Sequence, residues 1–418
     1  MRNHVTSAIR IGLLLLLPLV FGFTTWATDA SAFTEEQRLL SEVWRLVDRA
    51  YVDDTFNHQN WWLVRQRALK QPLQTRDDTY GAIQKMLASL DDPYTRLLKP
   101  DQYRSLQTNT SGELTGVGLQ ITQDADTGAL SVIAPIDGSP AATAGLQARD
   151  RILKINGVST VELTLDEAAE RMRGPVGSQV TLTIARDGVA DQDVTLRRDR
   201  ITLNPVYADL RMQADQALGY IRLTQFNANA AAEVAHAIDR LDHQGAESFV
   251  LDLRNNPGGL LQAGIDIAQL WLNQGTVVYT VNRDGIQDSF TALGRALTDK
   301  PLAVLVNQGT ASASEILAGA LQDNGRARLI GERTFGKGLI QSLFSLSDGS
   351  GLAVTIARYE TPNHHDINKL GIMPDEVVPF EPIARSQIGA DDDPQYLAAA
   401  EWLSKQSASL VASSVPAL

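Results

Sequence analysis

Apolar residues recur three and four positions apart through the first hundred residues. Leu39, Leu40, Val43, Leu46 and Val47 fall on one stripe with charges between them, and Ile83, Met86, Leu87 and Leu90 on another. This spacing predicts amphipathic helices. Asp91-Asp92-Pro93-Tyr94 closes the second helix, because the residue before a proline is pushed out of the helical region. Residues 33–108 therefore read as a small helical domain. Between about 109 and 200 the period shortens. Residues 117–122, 129–136 and 179–185 predict strands, 139–145 and 164–172 short helices, and Asn156-Gly157 a turn.

From Thr202 onward strands and helices alternate. Strands are predicted at 218–223, 249–253, 276–281 and 302–306, with helices at 230–241, 264–272 and 314–321. Phe249-Val250-Leu251 is apolar on both faces, as in a strand covered on two sides. Residues 339–346 and 351–359 read as a hairpin around Ser347-Asp348-Gly349-Ser350. A helix follows at 394–405, then a polar tail. The predicted fold class is multidomain α/β: a helical domain (33–108), a β-rich domain (109–200), an α/β core (201–385) and a C-terminal helical segment (386–418).

Composition narrows the chemistry. The 418 residues carry a net charge of −12 and no basic run, which argues against a nucleic-acid partner. With no cysteine, disulfides, thiolate catalysis and Cys-held metals are excluded. Arg2, His4 and Arg10 precede an apolar run at 11–23, and Ala30-Ser31-Ala32 follows. That order is the pattern of a secretory signal ending at residue 32. The run is short for a membrane span, which takes about 20 residues.

The most informative stretch is Asn307-Gln308-Gly309-Thr310-Ala311-Ser312-Ala313-Ser314-Glu315, where an apolar strand turns into a helix. Lys337 follows Ser312 by 25 positions (337 − 312), between Gly336 and Gly338. A serine nucleophile needs a base, and a lysine kept neutral by burial can serve. Ser312-Ala313-Ser314-Glu315 also fits a helix capping box, in which the serine merely satisfies a backbone N–H. The residues alone do not choose between Ser312 and Ser314. Leu253-Arg254-Asn255-Asn256-Pro257-Gly258-Gly259 ends a strand in a tight turn whose N–H groups could face a reacting carbonyl. The residue after the serine, Ala313, supplies a second such donor. Gly116-Val117-Gly118-Leu119 opens a strand, which suits capture of a peptide carboxylate better than a phosphate. His364-His365-Asp366 lies in no H-E-x-x-H or G-x-S-x-G motif and is not expected to be catalytic.

Together these residues resemble the carboxyl-terminal processing peptidases, or tail-specific proteases. The resemblance is carried by Asp92-Pro93-Tyr94-Thr95-Arg96, Gly116 to Leu119, Leu253 to Gly259, Asn307 to Glu315 and Gly336-Lys337-Gly338, in that order. Asp348-Gly349-Ser350-Gly351 and Ala357-Arg358-Tyr359 make it closest to the photosynthetic branch, which processes the photosystem II D1 precursor. The resemblance implies Ser312 as nucleophile, Lys337 as general base and Gln341 as a residue supporting the dyad. It implies oxyanion donors at Ala313 and at a glycine of the Pro257-Gly258-Gly259 turn, with Gly258 preferred. A PDZ-like domain would bind substrate C-termini at Gly116, Val117, Gly118 and Leu119. The core would be an α/β protease fold of crotonase-like and ClpP-like architecture, with no cofactor and no metal. Glu315, one helical turn from Ser312, would cap the helix or help position the dyad, with the cap preferred. The expected partner is the tail of the D1 precursor, and the expected form is a monomer, soluble once the leader is removed and at most peripheral to the thylakoid membrane. It would act in the thylakoid lumen or a periplasm. Two other readings of the same residues are a general tail-specific protease and a PDZ-type adaptor with an inactive core. Intact Ser312 and Lys337 weigh against the adaptor.

Overall fold

The computed structural model describes residues 33–414 apart from 125, 126, 137, 187, 214, 215, 380–387 and 391, with side chains undescribed at 286, 287 and 407–414. The leader expected at 1–32 lies outside the described residues.

Four helices and one short strand open the chain: α1 (Glu35–Ala50), α2 (Trp61–Leu69), α3 (Arg76–Ala88), β1 (Arg96–Leu98) and α4 (Pro100–Ser111). Thr34 and Gln37 cap α1 reciprocally, and Thr75 and Asp78 do the same for α3, each pair satisfying N–H groups that a helix start leaves open. The apolar stripe of α1 is fully buried at Leu39, Leu40, Val43 and Val47.

The β-rich unit holds β2 (Glu113–Gly116), β3 (Leu119–Gln123), β4 (Leu130–Pro135), α5 (Pro140–Thr143), β5 (Arg151–Ile155), β6 (Val158–Ser159), α6 (Leu165–Met172), β7 (Gln179–Arg186), β8 (Val189–Arg197) and β9 (Asp199–Thr202). Its main sheet runs β3-β4-β5-β7-β8, so β3 is an edge strand. The chain enters on β2 and leaves on β9, which pair as a separate two-stranded ribbon.

The remaining elements are β10 (Val206–Gln213), β11 (Gln216–Leu223), α7 (Ala230–His243), β12 (Ser248–Asp252), α8 (Leu261–Gln269), β13 (Thr276–Asn282), β14 (Gly285–Thr291), β15 (Leu302–Val306), α9 (Ala313–Asp323), β16 (Arg328–Gly331), β17 (Leu339–Ser345), β18 (Gly351–Glu360), β19 (Glu376–Val377) and α10 (Pro394–Ser414). A six-stranded sheet runs β10-β11-β12-β15-β16-β19, antiparallel only at β10–β11. The period of two shows in which core each residue joins. Phe249, Leu251, Val304 and Val306 pack with α7, α8 and α9, while Val250, Ala303 and Leu305 pack with Tyr396, Ala399 and Leu403 of α10. Apolar residues on both faces are what a sheet between two helical layers requires.

A second sheet runs β1-β18-β13-β14, with β17 also on β18. Two features modify the sequence reading. The N-terminal helices are not a self-contained body, because β1 pairs with β18 and Leu352 and Val354 join the α1–α3 core. The expected hairpin exists as β17–β18, and it is the part of the core on which those helices rest.

Candidate active site

Three neighbouring parallel strands, β12, β15 and β16, deliver three loops at their carboxyl ends, where open α/β sheets place their sites. The loop after β12 holds the Pro257-Gly258-Gly259 turn. The loop after β15 holds Ser312, and that after β16 holds Lys337. All three line one cleft of about 330 Å3, closed on another side by Tyr94 and Arg96.

Ser312 stands at the N-terminus of α9 with φ 59° and ψ −118°. A side chain rarely takes this backbone conformation, which stores strain of about 1–3 kcal/mol. The capping reading holds only in reverse: the Ser312 hydroxyl makes no capping hydrogen bond, whereas the Glu315 carboxylate accepts from the Ser312 N–H at 2.8 Å. Ser314 is fully buried, and its hydroxyl donates to the Asn256 carbonyl at 3.0 Å. The structure thus separates the two serines, with Ser312 in the cleft and Ser314 joining two loops.

Glu315, fully buried, is more than a cap. Its Oε1 accepts from the Thr334 hydroxyl (2.6 Å) and the Gly336 N–H (2.7 Å), and its Oε2 from the Lys337 N–H (2.9 Å). One carboxylate therefore holds the backbones of both Ser312 and Lys337. Tyr359 of β18 does the same from the carbonyl side, its hydroxyl lying against the carbonyls of Ser312 (3.0 Å) and Lys337. Burial first, then the charge of Glu315, pushes the Tyr359 phenol well above its ordinary range, so it stays protonated and remains a donor. Sequence reasoning missed Tyr359 in this role. Its position in Ala357-Arg358-Tyr359 marked it, but nothing in a strand pattern tells which face meets the loops.

The Lys337 side chain is half-buried, with its Nζ 5.0 Å from the centroid of the Tyr94 ring. Burial lowers its pKa below the ordinary 10.5, helped by the Arg96 charge and opposed by Glu315 and Asp92. Gln341 lies in the same cleft, beside a bulge at Ile340/Gln341, and its Nε2 is buried without a hydrogen-bond partner.

The Pro257-Gly258-Gly259 turn is braced from behind. Asn256, fully buried, donates to the Leu223 carbonyl at 2.8 Å and accepts from the Gly258 N–H at 2.9 Å. The Asn256 carbonyl takes the Ala311 N–H as well. A Cβ on Gly258 would lie 2.7 Å from the Ala311 carbonyl oxygen and 2.9 Å from the Ala313 nitrogen, so only glycine allows this approach. The N–H groups of Ala313 and Gly259 have no acceptor among the described residues, whereas Gly258, the glycine preferred from sequence, is engaged by Asn256.

In the β-rich unit, Gly116, Val117, Gly118 and Leu119 border a pocket of about 70 Å3 walled by Ile121, Ala169 and Met172, with Arg173 at its rim. The N–H groups of Val117 and Gly118 have no acceptor among the described residues. Gly118 has φ +78°, and a Cβ there would meet the Ser139 Cβ at 2.2 Å. The open edge of β3 continues from this loop. Elsewhere, His364 stacks on Tyr279 and contacts Glu360, outside the cleft.

Both units match known protein families. Residues 217–378 match the model of peptidase family S41, and residues 131–186 that of a PDZ domain. A carboxyl-terminal-processing protease of Picosynechococcus sp. is 61% identical over 399 residues, covering 95% of each chain. The chloroplastic carboxyl-terminal-processing peptidase 2 of Arabidopsis thaliana is 47% identical over 390 residues, covering 90% of this chain and 76% of that one. Among solved structures, a photosystem II D1 C-terminal processing protease aligns with a TM-score of 0.55 at 44% identity, covering 83% of this chain and 94% of that one.

Proposed function

Because this chain belongs to peptidase family S41 and is a carboxyl-terminal-processing peptidase, we propose that it cleaves with a Ser312/Lys337 dyad and removes the C-terminal extension of the photosystem II D1 precursor, which lets the oxygen-evolving manganese cluster assemble. The observation that carries the dyad is the Glu315 carboxylate, which ties the strained backbone of Ser312 to that of Lys337 in one cleft. The D1 assignment rests on likeness to the D1 processing protease over most of the chain.

The substrate tail binds at Gly116 to Leu119, its carboxylate received by the N–H groups of Val117 and Gly118 and its backbone added to the edge of β3. Lys337 swings from the Tyr94 ring to the Ser312 hydroxyl and, in its neutral form, takes the proton as Ser312 Oγ attacks the scissile carbonyl. The oxyanion is received by the Ala313 N–H and by the glycine turn, where Gly259 is free and Gly258 must first leave Asn256. The protonated Lys337 returns the proton to the departing amine, leaving Ser312 acylated. Water, deprotonated by Lys337, then releases the new C-terminus. Gln341 lies where its unpartnered amide can orient the lysine. The expected leader places the enzyme in a thylakoid lumen or periplasm. No helix among the described residues is long and apolar enough to cross a membrane.

The test uses the leader-free chain and a peptide ending in the D1 precursor tail, with products followed by mass spectrometry. Cleavage at one bond by the unaltered chain, absent in Ser312→Ala and Lys337→Ala, is the expected result. Retained cleavage in Lys337→Ala removes the dyad. Equal cleavage of unrelated proteins with apolar C-termini replaces the D1 assignment with general tail-specific proteolysis.

A further inference from the structure

Two full charges line the active-site cleft, and both are positive: Lys337 and Arg96. The other walls are apolar or neutral, and no carboxylate is among the described residues that line the space. Lys337 acts in its neutral form under the reading above, which leaves Arg96 as the lasting charge among the described residues that line the cleft itself.

Arg96 is the first residue of β1, pairs in register with the cleft residue Ala353, and is exposed. On a chain of net charge −12, carboxylates are plentiful. Arg76, Arg104, Arg173 and Arg358 each have one within 4 Å. The Arg96 guanidinium has no hydrogen bond or ion pair among the described residues. It also stands at a junction. Arg96 and Leu106 border both the cleft and a neighbouring groove of about 630 Å3 between α3, β1 and α4, which carries Gln84, Gln102, Asn109 and one carboxylate, Asp92, whose oxygens are taken by the Tyr94 N–H and the Thr95 hydroxyl. A peptide leaving the scissile bond along that groove passes the guanidinium.

We propose that Arg96 is a specificity-determining residue that receives a carboxylate of the peptide near the scissile bond. The carboxylate is either the side chain of an Asp or Glu in the substrate or the α-carboxylate that cleavage creates. A planar guanidinium binds a carboxylate through two parallel hydrogen bonds, which a lysine or a neutral donor does not reproduce. The proposal rests on the cleft being the peptidase site. It adds the chemical class of substrate the cleft selects.

Binding to the uncleaving Ser312→Ala chain tests it apart from catalysis. In one arm, fluorescent D1-tail peptides carry Asp or Glu against Asn or Gln at each position in turn. In the other, peptides truncated at successive positions end in a free acid or an amide. Every free acid gains alike at the Val117–Gly118 loop, and at one position in one arm the acid form should gain about tenfold beyond that, the size of one charge-assisted pair. That preference should collapse when Arg96→Gln is added and survive in part with Arg96→Lys. The arm that shows it identifies the source of the carboxylate. Unchanged acid-to-neutral ratios in Arg96→Gln, or no such preference in either arm, overturn the proposal. A wrong dyad would show instead as wild-type and Ser312→Ala chains that cleave alike, with the binding ratios unaffected.

Discussion

Ser312 shows what a sequence states and what it leaves open. Its place between an apolar strand and a helix was legible, and so was a lysine between two glycines. The choice between Ser312 and Ser314 was not, because it depends on which hydroxyl the buried Asn256 carbonyl takes. The strained φ of 59° is likewise invisible in the sequence. It predicts that Ser312→Gly abolishes cleavage and yet raises stability by about 1 kcal/mol, the strain released less the entropy a glycine adds to the unfolded chain. Urea unfolding compared with Ser312→Ala measures this, and a Gly variant no more stable than the Ala variant would show that Ser312 stores no strain. The base gives a second prediction. Burial, then Arg96, depresses the Lys337 pKa, and only the neutral amine accepts a proton. Activity should therefore rise with pH, with a midpoint below 10.5. Arg96→Gln removes a neighbouring positive charge, raises the lysine pKa and should move that midpoint to higher pH. A profile of kcat/KM flat from pH 5 to 10 would rule the lysine out as base. Tyr359→Phe keeps the ring but frees the Lys337 carbonyl. It should lower kcat by about tenfold, a loss of roughly 1.4 kcal/mol, with little change in KM; an unchanged kcat would reduce Tyr359 to packing.

At the scale of elements, the sheet interior was the easiest part to read. The strand expected at 302–306 is β15 residue for residue, because five apolar residues between breakers fit a strand covered on both faces. Edges were harder. The edge strands β10 and β14 carry mixed polar residues and were not predicted, since their pairing, more than their pattern, makes them strands. The helix α4 was missed as an element because its sequence is polar and it buries only Tyr103. The helix α10 is held by a network no pattern would reveal. The buried Arg254 guanidinium bonds Asp252 on one side and Asp393 on the other, at 2.6 to 2.9 Å. Arg254 also lies at the start of the loop that carries the Pro257-Gly258-Gly259 turn, so the C-terminal helix and that loop share one anchor. Asp393→Ala leaves a buried guanidinium with half its partners and should cost about 3 kcal/mol. Hydrogen exchange should then rise first in α10. Burial opposes ionisation of Asp393, but the Arg254 pairing wins and lowers its pKa below 3.8. Its contribution is therefore complete above that value and lost as pH falls through the lower folded-state pKa. Protection of α10, corrected for the intrinsic pH dependence of exchange, that responds to acid identically in wild type and Asp393→Ala would contradict the assignment.

At the scale of the molecule, the three units are joined in different ways, and this bears on control. The N-terminal helices share a core and a sheet with the catalytic hairpin, and through Tyr94 and Arg96 they complete the cleft. They border the candidate site and should move with it. The PDZ unit instead hangs on the β2–β9 ribbon. Its helix α6 meets α4 through an exposed ion pair, Arg104 with Glu170 at 2.6 Å. Such pairs contribute about 0–1 kcal/mol, too little to fix a domain. A binding site on a loosely held arm, with the chemistry on a rigid body, is suited to coupling tail capture to cleavage by domain movement. The chain has no cysteine, so Arg104→Cys and Glu170→Cys can be joined specifically by a short bis-maleimide. If movement of the arm is required, the joined protein should cleave a tail peptide at least about tenfold more slowly in kcat, a loss of about 1.4 kcal/mol in barrier terms, while still binding the tail at Val117 and Gly118. The same double substitution left unjoined should cleave normally. Full activity in the joined protein would mean that the arm only collects substrate, and that the cleft is assembled whether or not a tail is bound.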